Sequence, residues 1–129
     1  MDARRFQELV DEAIEGLPAE FAARLENVDV VVQRRPPQAL LRKMGMSDRD
    51  TLLGFYHGVP FSHRDSNYGN VLPDRIIIFR DPILDAADAQ CEAGGDFDEA
   101  VRREVRRTVL HEIGHYFGLG EGDLERLDY

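Results

Sequence analysis

The sequence predicts one small domain that combines α-helices with β-strands. The chain has 129 residues, which is a usual size for one domain and too short for two well-packed cores. It is 43% hydrophobic and 32% charged, so it has enough apolar side chains to form a core. Helix signals lie near both ends of the chain, and β-branched or apolar runs lie between them. Residues 1–129 are therefore expected to form a single domain.

The first predicted element is an amphipathic helix. Asp2 is placed to cap its N-terminus, and Pro18 lies near its end. Its apolar residues recur at the spacing of one helix face and are Phe6, Leu9, Val10, Ala13, Ile14 and Leu17. A second short turn is expected from Ala19 to Leu25. This first helix is predicted to face the core.

Three runs in the middle of the chain predict strands. Asp29 to Gln33 is β-branched and is followed by two prolines, Thr51 to Val59 is mainly apolar, and Ile76 to Phe79 is the clearest strand pattern. A weakly helical connector from Gln38 to Met44, closed by Gly45, separates the first two runs.

Two further helices are predicted near the carboxyl end. Asp81-Pro82 begins a short helix that reaches about Ala89. After the glycine pair at 94–95, Asp96 is an N-cap candidate with Glu99 three positions later, the aspartate form of a capping box. This cap predicts a long helix from Phe97 to about Phe117, ended by Gly118 in a left-handed conformation.

The charge balance limits the classes of partner that the protein is expected to bind. The formal net charge is −9, with a pI near 4.8, so the protein repels nucleic-acid phosphates and anionic membrane surfaces. No apolar run is long enough to cross a membrane or to form a signal peptide. A single cysteine, Cys91, cannot form an internal disulfide. A soluble, cytoplasmic protein with no nucleic-acid or membrane partner is expected.

His111-Glu112-Ile113-Gly114-His115 matches H-E-x-x-H within the long predicted helix. Helix positions i and i+4 differ by only ~40° in azimuth, so His111 and His115 can bind one metal ion. Glu112 is rotated by ~100° and lies beside the ion, where it suits a general base that takes a proton from the attacking water. Chance would place this pattern in about one shuffled sequence in a hundred.

The motif extends to H-E-x-x-H-x-x-G-x-x-E through Gly118 and Glu121. A left-handed Gly118 would reverse the chain and bring a following side chain back toward the histidines. Glu121 is the natural third ligand, and Asp123 is the alternative. Two imidazoles and one carboxylate are the ligand set of a catalytic zinc site, and one Zn²⁺ per chain is expected.

Other candidates are weaker. Isolated histidines such as His57 and His63 are more often solvated or hydrogen-bonded than functional. The four tyrosines are candidate donors to an oxyanion, but packing is the better interpretation for each: Tyr56, Tyr68, Tyr116 and Tyr129. The arginine-rich run from Arg102 to Arg107 indicates a solvated helix face with ion pairs.

Three segments, Thr108 to Gly118, Val71 to Ile76 and Leu53 to Pro60, resemble the small bacterial zincin-like metallopeptidase family, and the similarity extends over almost the whole chain. The resemblance implies the α+β class, as a minimal zincin-like domain. In it, a small mixed sheet packs against an N-terminal helix and a long active-site helix. It also implies an acidic residue at the position of Glu121, but it does not identify a substrate. A peptide or protein substrate is what the leading interpretation, given below, expects.

The departures from better-known families are specific. Metzincins share the H-E-x-x-H-x-x-G spacing but have a third histidine where Glu121 stands, followed by a methionine turn. Only eight residues follow Glu121, and none is methionine. Peptide deformylases use a cysteine ligand in a motif that the surroundings of Cys91 do not match. The chain is therefore expected to be neither a full metzincin nor a deformylase.

The leading interpretation is a zinc-dependent peptidase. A substrate strand is expected to pair with Ile76 to Phe79 if that strand lies at the sheet edge. The alternative is a metal-binding regulatory or partner-binding module with little turnover, because so small a domain has little protein to enclose a substrate. A small metal-dependent endoribonuclease is disfavoured by the acidic charge and by Glu112 and Glu121.

Overall fold

Helices and strands follow one another in the order that the sequence predicts. The computed structural model describes residues 1–23, 25, 28–46, 52–58, 74–118 and 122. The elements within them are α1 (Ala3–Glu15), α2 (Ala19–Ala22), β1 (Val28–Gln33), α3 (Gln38–Lys43), β2 (Gly54–His57), β3 (Asp74–Phe79), α4 (Arg80–Gln90) and α5 (Phe97–Tyr116). The fold class is α+β, as predicted.

The described strands form one mixed sheet in the order β1-β3-β2. β1 runs parallel to β3, with Val30 opposite Ile76. β2 runs antiparallel to β3, with Tyr56 also opposite Ile76. The expectation that Ile76 to Phe79 could lie at a sheet edge is wrong, because β3 is the central strand.

β3 is the most buried of the described strands. Four of its six side chains are buried, on both faces of the sheet: Asp74, Ile76, Ile78 and Phe79. Buried residues on both faces are typical of a strand that has other elements packed on each face of its sheet. The shorter β2 is left at one end of the described sheet, and it packs against α5.

α1 begins where its cap predicts. The Asp2 carboxylate accepts a hydrogen bond of 2.8 Å from the backbone N–H of Arg5, which satisfies one of the unpaired donors of the first turn. Phe6, Leu9 and Val10 are buried against the core. The periodicity of the apolar residues therefore predicted both the helix and its buried face.

α5 begins at its predicted cap as well. The Asp96 carboxylate accepts from the backbone N–H of Asp98 at 3.0 Å and of Glu99 at 3.4 Å. The Glu99 side chain binds Arg102 at 2.7 Å. Four residues of the buried face recur every four positions and are Val101, Val105, Val109 and Ile113. This face fixes α5 against α1, α4 and the sheet.

Ion pairs join α1 to the first half of α5. The Arg5 guanidinium donates two hydrogen bonds to Asp98, at 3.1 Å and 2.7 Å, and Arg102 donates to Glu12 at 3.0 Å. Arg5 holds the pKa of Asp98 below its usual range, mainly through this hydrogen bonding. The arginine-rich segment is therefore a solvated face with ion pairs, as predicted. No helix in the described part of the chain is long and apolar enough to cross a membrane.

Candidate metal centre

Three side chains from the last turns of α5 come together. His111, Glu112 and His115 each offer a ligand atom, and these atoms lie within 4.8 Å of one another. Among the described residues, this is the one group of three or more histidine, cysteine or acidic side chains close enough to hold a metal ion. The structure therefore brings together the three residues of the H-E-x-x-H motif that carry its chemistry.

The two imidazoles lie side by side on one face of the helix. Their ring centroids are 4.9 Å apart, and the ring planes are inclined at 81°. Both side chains are partly exposed, so their nitrogens can be reached from outside the core. This is the arrangement expected of residues four positions apart on a helix.

Glu112 is more buried than the histidines that flank it. It is 7% exposed, and its side chain runs along β2. A Cβ atom built onto Gly54 would lie only 3.1 Å from the Glu112 Cγ. The stem of the carboxylate is therefore held between helix and strand, while its oxygen remains within 4.8 Å of the histidine nitrogens.

The end of α5 has the predicted turn. Gly118 has a φ of 82°, in the left-handed region that favours glycine. Its backbone N–H donates to the His115 carbonyl at 2.9 Å. The helix therefore ends one residue after the second histidine, and Gly118 has the conformation that the motif requires. Glu121 and Asp123 lie outside the described residues, so the third ligand stays a prediction.

His57 does not join the group. Strand residues alternate between the two faces of a sheet, and the Gly54 position of β2 faces Thr108 and Glu112 on α5. Tyr56 shares that face, with its ring 5.9 Å from the Tyr116 ring. The exposed His57 therefore lies on the opposite face, beside Phe55. His63 lies outside the described residues.

Both described tyrosines pack against other aromatic rings, as expected. Tyr116 is 1% exposed and lies against Phe117 as well as Tyr56. The Tyr56 hydroxyl donates to an oxygen of buried Asp74 at 2.6 Å. Its proton is thus directed into the fold rather than toward the histidines. Tyr68 and Tyr129 lie outside the described residues.

Two residues that lie next to the site were not predicted from the sequence. Gly54 and Thr108 meet where β2 crosses α5, and a Cβ at Gly54 would lie 2.7 Å from the Thr108 Cγ2. The available signal for this contact was a glycine inside a strand pattern, which often marks a close backbone approach. That signal does not identify the partner, since Thr108 lies on a helix far along the chain.

The donor set fits zinc. Imidazole nitrogens are borderline-soft ligands that suit Zn²⁺ and other first-row divalent ions, and a helical i, i+4 pair supplies two of the four positions of a tetrahedral site. A carboxylate from the segment after Gly118 would supply a third. With such a third ligand, one position would stay open, which is the pattern of catalytic zinc sites.

Comparisons with known proteins identify a matching family and a solved structure of similar fold. A family model described as "Zincin-like metallopeptidase" matches residues 25–129. The solved structure of a conserved hypothetical protein from Thermo thermophilus is similar, with 25% sequence identity and a TM-score of 0.54. That similarity covers 98% of this chain and 97% of the other, so it includes α1, which lies outside the family match. No curated protein matches the chain.

Proposed function

Because the chain belongs to the zincin-like metallopeptidase family, we propose that it is a zinc-dependent peptidase with Glu112 as its general base. The observation that carries the proposal is the convergence of His111, Glu112 and His115 within 4.8 Å at the end of α5. Family membership alone indicates a metallopeptidase-like fold, whereas this cluster supports a working site.

His111 and His115 are proposed to hold the metal together with Glu121. When bound, zinc would polarise the peptide carbonyl and lower the pKa of water toward ~7. Each imidazole binds through a neutral nitrogen, so the two rings must stay deprotonated in the loaded protein. Their fixed spacing on α5 removes the need to order two flexible segments around the ion.

Glu112 is proposed to move the proton. Its carboxylate takes a proton from the attacking water as the water oxygen forms a bond to the carbonyl carbon. It then gives that proton to the amide nitrogen as the C–N bond breaks, so that an acid and an amine leave. Its low exposure and its contact with β2 limit the number of rotamers and keep the carboxylate near the reacting atoms.

A peptide substrate is proposed to lie along β2 rather than β3. Among the described strands, β2 ends the sheet order and packs directly on α5. An extended peptide can add to such an edge through backbone hydrogen bonds, whatever its side chains are. Pairing with β2 replaces the expectation that a substrate pairs with Ile76 to Phe79, because both edges of that strand already pair with β1 and β2.

The proposal also includes the kind of partner and the cellular compartment. A net charge of −9 favours peptides over nucleic acid and anionic membranes as partners. The single cysteine is consistent with a reducing cytoplasm. A peptide or protein substrate in the cytoplasm is therefore proposed.

Glu112→Gln tests the proposal. We expect this variant to keep its zinc and to lose hydrolysis of a fluorogenic peptide library by about 10² to 10⁴-fold, the usual contribution of a general base. Glu99→Gln is the matched control, because it makes the same change on the exposed first turn of the same helix. Zinc without any Glu112-dependent cleavage would favour the alternative, a metal-binding module with little turnover. Loss of zinc from Glu112→Gln would show that Glu112 is a ligand.

A further inference from the structure

The crossing of β2 and α5 has no room for a side chain at Gly54. A Cβ atom at this position would lie 2.7 Å from the Thr108 Cγ2, 3.1 Å from the Glu112 Cγ and 3.2 Å from the backbone oxygen of Ile77. Carbon atoms in contact normally lie about 3.5–4.0 Å apart. The position is therefore enclosed by a methyl group, by the Glu112 side chain and by the central strand.

Glycine is required at position 54 because no side chain fits there, and not because of an unusual backbone conformation. Its φ is not among the positive values found at other glycines, such as 75° at Gly45 and 82° at Gly118. An alanine could therefore adopt the same backbone angles. What excludes it is the distance between the strand and the helix.

Thr108 is held in the orientation that closes this space. It is 5% exposed, and its hydroxyl donates to the Glu104 carbonyl at 2.8 Å. Because this bond fixes the side-chain torsion, the methyl group stays directed at Gly54. The Ile77 oxygen belongs to the backbone of the central strand and cannot move away without disturbing the sheet.

Among these three contacts, the Glu112 side chain is neither part of the backbone nor bound to the Glu104 carbonyl. Glu112 lies one helical turn after Thr108. Its Cγ is the second-nearest atom to a Cβ atom built onto Gly54. An added methyl would push α5 away from β2, because its shortest contact is with the Thr108 methyl group, and it would also turn the Glu112 side chain. A shift of α5 carries Glu112, His111 and His115 together, whereas turning the side chain moves the carboxylate relative to the two histidines.

We propose that Gly54 is a positioning residue, which sets the place of the Glu112 carboxylate by letting β2 lie directly against α5. The inference rests on the proposed role of Glu112 as the general base. It goes beyond that role by assigning a residue on the strand, far earlier in the chain, to the alignment of the base. His111 and His115 project from another part of the helix surface, so zinc binding does not depend on Gly54.

The test is a cycle of three variants: Gly54→Ala, Thr108→Ser and the double variant. Thr108→Ser removes the methyl group at 2.7 Å and keeps the hydroxyl that binds Glu104. Gly16→Ala is the control glycine, because it also has a negative φ and lies at the end of α1, outside the site. Zinc content, kcat and KM are measured with one fluorogenic peptide.

Gly54→Ala is expected to keep its zinc and its KM while kcat falls by about 10 to 100-fold, the scale of a misplacement of about 1 Å. In the double variant, kcat should recover by several-fold, because the nearest obstacle has been removed. A wild-type kcat in Gly54→Ala overturns the inference. An equal loss of kcat with and without the Thr108 methyl group also overturns it.

A second readout does not need activity. In metal-free protein, the ¹³C resonance of the Glu112 carboxyl group, assigned by its absence in Glu112→Gln, should shift in Gly54→Ala and return part of the way in the double variant. If Gly54→Ala does not fold, the double variant alone is compared with Thr108→Ser. An unchanged Glu112 resonance overturns the inference, whereas failure of the proposed function appears separately as wild-type protein without Glu112-dependent cleavage.

Discussion

Removal of the Tyr56 hydroxyl tests how the edge strand is fixed beside the candidate site. The hydroxyl donates to Asp74 at 2.6 Å, and Asp74 is 1% exposed. The bond joins β2 to the central strand on the side of the sheet that faces α5. Tyr56→Phe keeps the aromatic ring against Tyr116 and removes the donor alone.

The expected loss follows from the type of bond. Hydrogen bonds to charged groups contribute about 1.5–3 kcal/mol, and a buried acceptor that loses a donor cannot replace it with water. We therefore expect Tyr56→Phe to lower the free energy of unfolding by about 2 kcal/mol. For a chain of 129 residues, this corresponds to a fall in Tm of about 7 °C, from the usual entropy of unfolding per residue.

Urea denaturation of metal-free protein at pH 7 measures this loss without a contribution from bound zinc. The same substitution in an Asp74→Asn background should lower stability by only about half as much, because a neutral acceptor forms a weaker bond. A loss under about 0.5 kcal/mol would refute the reasoning, since exposed sites typically show no more than this. An equal loss in both backgrounds would refute the assignment of Asp74 as the charged acceptor.

Two further predictions concern charge and the third ligand. Arg5 lowers the pKa of Asp98 in the folded state. The pair therefore stabilises the fold fully at pH values above the ordinary Asp pKa of about 3.9. This stabilisation is lost as the pH falls through the lower pKa of the folded state. In Asp98→Asn, the urea midpoint of unfolding should fall less between about pH 6 and about pH 3 than it does in the wild type. An equal fall in both proteins would argue against the pair. Glu121→Ala should weaken zinc binding strongly in competition with a chelator, whereas Asp123→Ala should mainly loosen the carboxyl terminus. The reverse pattern would make Asp123 the ligand.

The two long helices were predictable because their signals are local. Asp2 and Asp96 cap α1 and α5 as their positions indicate. The buried face of α1 follows the spacing of its apolar residues. Gly118 has the left-handed φ that the end of the motif requires. The positions of His111 and His115 on one helix face follow from these same local signals.

The arrangement of the strands was less predictable, because pairing depends on residues far apart in the chain. The apolar run from Ile76 to Phe79 identified a buried strand but not its two neighbours. The face on which His57 lies depends on how β2 docks onto α5, which no local pattern contains. Gly54 illustrates the same limit, since its close contacts with Thr108 and Glu112 exist only after helix and sheet have packed together.

The metal content of protein purified without added metal is the decisive measurement for the zinc site. We expect close to one zinc per wild-type chain, measured by elemental analysis against protein concentration. His111→Ala and His115→Ala should each lose this zinc, because the remaining ligands bind the ion far less tightly. Circular dichroism would show whether both variants keep the fold of the wild type. Equal zinc in the wild type and in both folded variants would show that His111 and His115 do not bind the metal.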